Sequence, residues 1–240
     1  MQNKLCLTLY VLLACALTAC GGGGGGEGPS ASGPSTQVQG RWATAAGSTP
    51  AYTAIGTPAA NSSATVWLLA NDASRLVKLT AQDSGTLGGK AYALGQSTAA
   101  ASVNGQWSAS ASTPKSLTLS GLPSGALTLA QTDALTSAAV QADAAGAWKA
   151  SVGGNAQSVS WTVATSGAVS GSSTTGCTYT GTLTAMTNAS AYTAAFRETC
   201  SDGASTLFNG IATLNSAKNA LSMVATGADE SVGVALFFSK

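Results

Sequence analysis

The chain has 240 residues, 8% of them charged, 45% apolar and none histidine. The missing histidine removes the commonest general base and metal ligand, and the low charge with high apolar content excludes a disordered chain. Setting aside Lys4, nine basic and nine acidic residues leave a net charge of zero. With no basic patch in sight, nucleic acid is not an expected partner.

Residues 1–19 read as a removable signal. Met1-Gln2-Asn3-Lys4 is a short polar start with one positive charge, and Leu5 to Leu17 is an apolar run of 13 residues. Spanning a bilayer takes ~20 apolar residues, so this run fits the middle of a secretory signal instead. The run ends in Leu17-Thr18-Ala19-Cys20. These residues resemble the lipobox of bacterial lipoproteins: Leu, two small residues, then Cys. The resemblance covers about the first 30 residues, together with the charged start, the apolar run and the flexible segment behind the box. It implies a diacylglycerol thioether on Cys20, cleavage before it, and acylation of the new amine. Two or more acyl chains anchor stably where one gives marginal binding. Gly21 after the cysteine is compatible with outer-membrane sorting in a Gram-negative cell. The implied location is the cell envelope, with the lipid on Cys20 as the contact to the membrane.

Gly21 to Gly26 are six consecutive glycines. A phosphate-cradling loop would need a strand before it and, in the P-loop form, Lys then Ser/Thr after it. A signal precedes this run and Glu27-Gly28-Pro29 follows, so it reads as a tether. The stretch from Gly21 to Gln39 would hold its ends roughly 25 Å apart as a random coil.

The remainder predicts an all-β, antiparallel fold with two small barrel-like or sandwich-like halves and hairpin connections. Short alternating apolar runs recur between turn signals, and long stretches of 3.6 periodicity are absent. The halves are expected at about 40–135 and 146–240, because Asp133 to Ala145 is polar and Ala-rich. Three Gly-x-Trp echoes at Trp42, Trp107 and Trp148 each read as opening a strand, with the Trp plugging the end of a barrel or sandwich. Their unequal spacing does not make a regular repeat. The five tryptophans, Trp67 and Trp161 included, read as core volume rather than as a stacking platform.

Along the chain, Val66 to Leu69 form a continuous apolar run, expected of a strand buried on both faces. Asp72, Asn61-Ser62-Ser63 and Asn188-Ala189-Ser190 read as turns. Pairing Leu117 with Leu129 and Leu119 with Leu127 leaves Leu122-Pro123-Ser124 as a three-residue turn between Gly121 and Gly125. Val159, Trp161 and Val163 alternate ahead of a Ser166-Gly167 turn. Val232, Val234, Leu236 and Phe238 alternate in a closing strand.

Of five cysteines, Cys6 and Cys15 leave with the signal and Cys20 takes lipid. Cys177 and Cys200 remain, an even pair in an oxidising compartment, and read as a disulfide. A turn at Thr187-Asn188-Ala189-Ser190 places the two cysteines opposite each other. The same register sets Gly181 against Phe196, a known packing device, and Thr178, Thr180, Thr182 and Thr184 on the solvent face. A slip of one residue would break all three agreements.

Chemistry is sparse. No Gly-x-Ser-x-Gly elbow occurs and no base is at hand for a serine. Asp202, Asp229 and Glu230 are carboxylates without an evident cleft. Glu198 falls on the apolar face opposite Tyr179; it is either a carboxylate in a barrel pocket or one bonded to the Tyr179 hydroxyl or to backbone N–H. Tyr179 and Glu198 are the candidate ligand-binding pair. No enzyme activity, metal or cofactor is expected. Two function classes follow. One is a non-catalytic envelope lipoprotein, binding or structural, whose surface meets a protein or glycan. The other holds a small apolar ligand or glycan in a barrel, similar in layout alone to lipocalins and avidin. A further likeness of layout is to nutrient-receptor lipoproteins with paired barrels. A filled interior favours the first class and a cavity of several hundred Å³ the second.

Overall fold

The structure, a computed structural model, describes residues 34–59, 63–96, 98–152 and 157–240. The lipobox with Cys20, the poly-glycine run, and Asn61-Ser62 lie outside the described residues. Of those described, 59% are in strands. Among them no helix is long and apolar enough to cross a membrane.

The chain makes two closed antiparallel barrels of eight strands each, every strand pairing with its neighbours in sequence. The first comprises β1 (Gly40–Thr44), β2 (Tyr52–Pro58), β3 (Ala64–Ala70), β4 (Arg75–Ala81), β5 (Thr86–Ala93), β6 (Ala101–Ser110), β7 (Ser116–Ser120) and β8 (Leu127–Asp133). The second comprises β9 (Gly146–Val152), β10 (Gln157–Val163), β11 (Ala168–Ser173), β12 (Thr178–Ala185), β13 (Tyr192–Thr199), β14 (Ser205–Leu214), β15 (Ala220–Gly227) and β16 (Gly233–Ser239). β1 closes on β8 through a bulge at Arg41/Trp42, and β16 closes on β9. Closure leaves no free sheet edge.

Period-2 alternation builds both barrels: one parity of each strand faces in, the other out. Eight strands leave an interior that side chains can fill. In the first barrel the filling is largely aliphatic, with Leu68, Leu79, Leu117, Leu119 and Leu129 fully buried around Trp42. In the second it is aromatic. Trp161 stands 4.8 Å from Phe238 and 5.0 Å from Phe196 between ring centroids, and Phe196 stacks on Phe208 at 5.1 Å.

The two barrels begin with the same device. Gly40 and Gly146 both have positive φ, and two residues later Trp42 and Trp148 turn inward. Each indole Nε1 donates to a carbonyl four residues back, Val38 at 2.9 Å and Ala144 at 2.8 Å. These two tryptophans do begin a strand and plug a barrel. The third echo differs from expectation: Gly105 and Trp107 sit in the middle of β6, and Trp107 is half-buried with its Nε1 on the Gln82 carbonyl. Equal local sequence was not enough there, because β6 runs on through the Gly-x-Trp triplet and pairs with β5 and β7 on both sides of it.

Two connecting segments are more ordered than their composition suggests. The segment expected to act as tether through Gln39 is tied down before that point: Pro34–Gln37 form one helical turn, Val38 is fully buried, and Gln39 Nε2 donates to the carbonyls of Leu135 and Asn188. Residues 134–145 between the barrels lie against the second one. Gln141 Nε2 donates to Leu183 O and its Oε1 accepts from Ala185 N, while Tyr192 Oη donates to Val140 O.

The expected hairpins are present. Leu117 pairs with Leu129 and Leu119 with Leu127. Val163 pairs with Val169 across the Ser166-Gly167 turn. In the disulfide hairpin Thr178 faces Thr199, Gly181 faces Phe196 and Ala185 faces Tyr192, and Cys177 and Cys200 are bridged. Gly181 is required there: a Cβ on it would lie 2.5 Å from the Cα of Phe196.

Candidate ligand-binding groove between the barrels

The outer faces of the two barrels meet. On the first, cross-strand pairing lines up Arg41, Ile55, Trp67, Lys78 and Lys90 in one row across β1 to β5. Thr53, Leu69, Leu76 and Tyr92 make the parallel row beside it. On the second barrel, β14 to β16 present Ile211, Val224 and Ala235 in one row, and Thr213, Ser222 and Phe237 in the next. Ile55, Trp67, Leu76 and Tyr92 pack with Ile211, Val224 and the linker residue Leu135 into a buried cluster. This contact explains the continuous apolar run at Val66 to Leu69: Val66 and Leu68 fill the barrel, while Trp67 and Leu69 face its neighbour.

The seam opens into a cleft at one place and a groove at another. The cleft, about 630 Å³, is lined by Lys90, Tyr92, Asp229, Glu230 and Gly233 among others. Glu230 sits in the β15–β16 turn at φ 56°. Asp229 fixes that turn by accepting from the Ser231 N–H at 3.1 Å and its hydroxyl at 2.8 Å. Thus held, Glu230 reaches the first barrel: its Oε1 is 2.7 Å from Lys78 Nζ and its Oε2 is 3.7 Å from Lys90 Nζ. The hydrogen bond from Lys78 and the charges of both lysines hold its carboxyl below the ordinary value. Burial, with the Glu230 charge nearby, pushes the Tyr92 phenol up to about 12. The Tyr92 hydroxyl is buried without a hydrogen bond of good geometry; Thr226 is its polar neighbour. Gly233 lies against the Tyr92 ring, where a Cβ would come within 2.7 Å of Cγ.

The groove is smaller, about 270 Å³, and more apolar. Ile55, Trp67 and Leu69 line it from the first barrel, and Val224 and Phe237 from the second, with Arg41 present as its cation. Phe237 is 48% exposed. The Trp67 Nε1 is buried with no acceptor. Among the described residues the Arg41 guanidinium has neither a hydrogen-bond nor an ion-pair partner, and the lining contains no carboxylate.

The candidate ligand-binding pair read from the sequence lies elsewhere. Tyr179 and Glu198 face into the second barrel, where the Tyr179 hydroxyl donates to Glu198 Oε1 at 2.8 Å. Burial and that carboxylate raise the Tyr179 phenol above its ordinary value. Cys177, Cys200 and Glu198 place potential metal-ligand atoms within 4.8 Å of one another. Both sulfurs are committed to the disulfide, so only the carboxylate could serve as a ligand in this state. Asp202 accepts from the Ala204 N–H in its own turn, as Asp72 does from Ser74. Asp229 and Glu230 do line a cleft, but Glu230 is neutralised by two lysines and poorly suited to hold a proton at neutral pH. The row from Arg41 to Lys90 was missed because it needs the pairing of five strands. Its only sequence signal is the outward parity shared by Trp67, Lys78 and Lys90.

No protein family, no curated protein and no solved structure matches this chain. What the groove and the cleft do must therefore be argued from their own chemistry.

Proposed function

We propose that the chain is a lipid-anchored, non-catalytic lipoprotein of the cell envelope whose folded part works as a binding module through its outer surface. The anchor rests on Leu17-Thr18-Ala19-Cys20 and the poly-glycine run behind it. One observation carries the surface reading: among the described residues both barrel interiors are filled by their own side chains, so a ligand is more readily placed outside them. That favours a partner met on the outer face over a lipocalin-like ligand inside a barrel. A partner large enough to span the seam, protein or glycan, would touch both barrels at once. The cleft beside Glu230 joins charged groups to a buried phenol but brings no activated nucleophile and no base of raised pKa, which supports binding rather than catalysis.

The test is Cys20→Ala with metabolic labelling by a fatty-acid analogue and fractionation. The expected result is an unlabelled variant released from the membrane fraction. Label retained on the variant, or a variant that stays with the membrane, would overturn the anchor.

A further inference from the structure

We propose that the groove bounded by Arg41, Trp67 and Phe237 binds a small amphiphile with an apolar body and one anionic, carboxylate-type head. This rests on reading the folded part as a binding module and adds a small ligand taken by one groove of its outer surface.

The charge pattern leads to the anion. Three cations lie on the single row that runs from β1 to β5, namely Arg41, Lys78 and Lys90. Lys78 and Lys90 are both answered by Glu230. Of these three, Arg41 makes no ion pair or side-chain hydrogen bond among the described residues; its cross-strand neighbour Asp133 accepts instead from the Leu135 N–H, and the groove that Arg41 lines has no acidic residue in its lining. A planar guanidinium with free N–H groups grips a carboxylate through two parallel hydrogen bonds. An ammonium head would be repelled there.

The walls lead to the apolar body. Ile55, Leu69 and Val224 form apolar wall and Phe237 stands half-exposed on the second barrel. A single exposed apolar side chain needs no explanation. This one borders a groove that Trp67 also lines, so the exposed ring is part of a continuous apolar wall. The size follows from the volume. About 270 Å³ corresponds to the space of roughly nine waters at about 30 Å³ each. That suits a ligand of about ten heavy atoms, such as octanoate.

The full chain carrying Cys20→Ala, which keeps acyl groups of its own out of the measurement, would be titrated calorimetrically with octanoate, octanol and octylamine. Octanoate is expected to bind saturably at one site, with octanol and octylamine at least tenfold weaker. Arg41→Gln is expected to weaken octanoate at least tenfold. Lys90→Gln, on the same row but paired with Glu230, should change it less than twofold. Absence of saturable octanoate binding, equal binding of octylamine, or an Arg41→Gln affinity equal to the parent would overturn the proposal. So would self-association in sedimentation that Phe237→Ala abolishes without any octanoate binding, since that gives the groove to a second copy of the chain. The head-group comparison uses the unaltered groove, so it decides even if a variant folds poorly. Failure here with a lipidated Cys20 would sink the ligand assignment and leave the anchor standing.

Discussion

Three buried tryptophans separate two things that an indole supplies, volume and a donor. Trp42, Trp148 and Trp161 are all nearly or fully buried. The first two donate to carbonyls of Val38 and Ala144, whereas the Trp161 N–H has no acceptor. Replacing Trp148 by Phe removes volume and strands a carbonyl beside the buried Ala144, a loss of ~1–3 kcal/mol beyond the packing term. Replacing Trp161 by Phe removes similar volume but also a donor that was already unpaired, so the hydrogen-bond part of the cost should vanish. Thermal unfolding of the two variants should therefore show Trp148→Phe as the more damaging; the reverse order would contradict these hydrogen-bond assignments. That Trp42 and Trp148 plug barrels was legible from Gly-x-Trp followed by alternation. That Trp107 sits mid-strand was not, since the triplet carries no information on where pairing begins.

The hairpin of β12 and β13 was the most legible element, because three requirements met in one register. The disulfide, the glycine under Phe196 and the threonine stripe each fix parity, and parity is what a strand pairing needs. Double replacement of Cys177 and Cys200 by alanine should cost roughly 3 kcal/mol, the chain-entropy value for closing about two dozen residues, read as a shift in the denaturant midpoint. An unchanged midpoint would mean that the hairpin is held without its bridge. The β15–β16 turn was illegible by contrast: Glu230 acts on Lys78 and Lys90, far away in sequence, so no local pattern announces it. Its carboxyl is held below its unfolded value. Its contribution is therefore present above the ordinary carboxylate range and is lost as pH falls through the lowered value. Glu230 is 40% exposed, so Glu230→Gln should cost no more than ~1 kcal/mol at neutral pH. The gap between parent and variant should close on acidification below about pH 4. A gap that widens in acid would show that Glu230 does not act as a charged partner.

At the scale of the molecule, the all-β class and the two halves could be read from alternation and turn chemistry. Their being closed barrels filled from within, and packed through an outer face, could not. Outward residues such as Ile55, Trp67 and Tyr92 look like core in the sequence, and only the meeting of β2–β5 with β14–β16 shows that they serve an interface rather than an interior. Gly233 marks how close that meeting is, and Gly233→Val should disturb it, exposing the Tyr92 ring and raising dye binding to apolar surface; an unaltered protein would contradict the packing against Tyr92. In the function we propose, the two barrels leave their insides occupied and place binding outside, at the end of a tether anchored through Cys20. Mass spectrometry of the N-terminal peptide, from mature protein extracted in detergent, tests this reading most directly. The expected chain begins at Cys20 and carries the mass of a diacylglycerol thioether with an acylated amine. An unmodified Cys20, or a mature chain beginning at another residue, would contradict it.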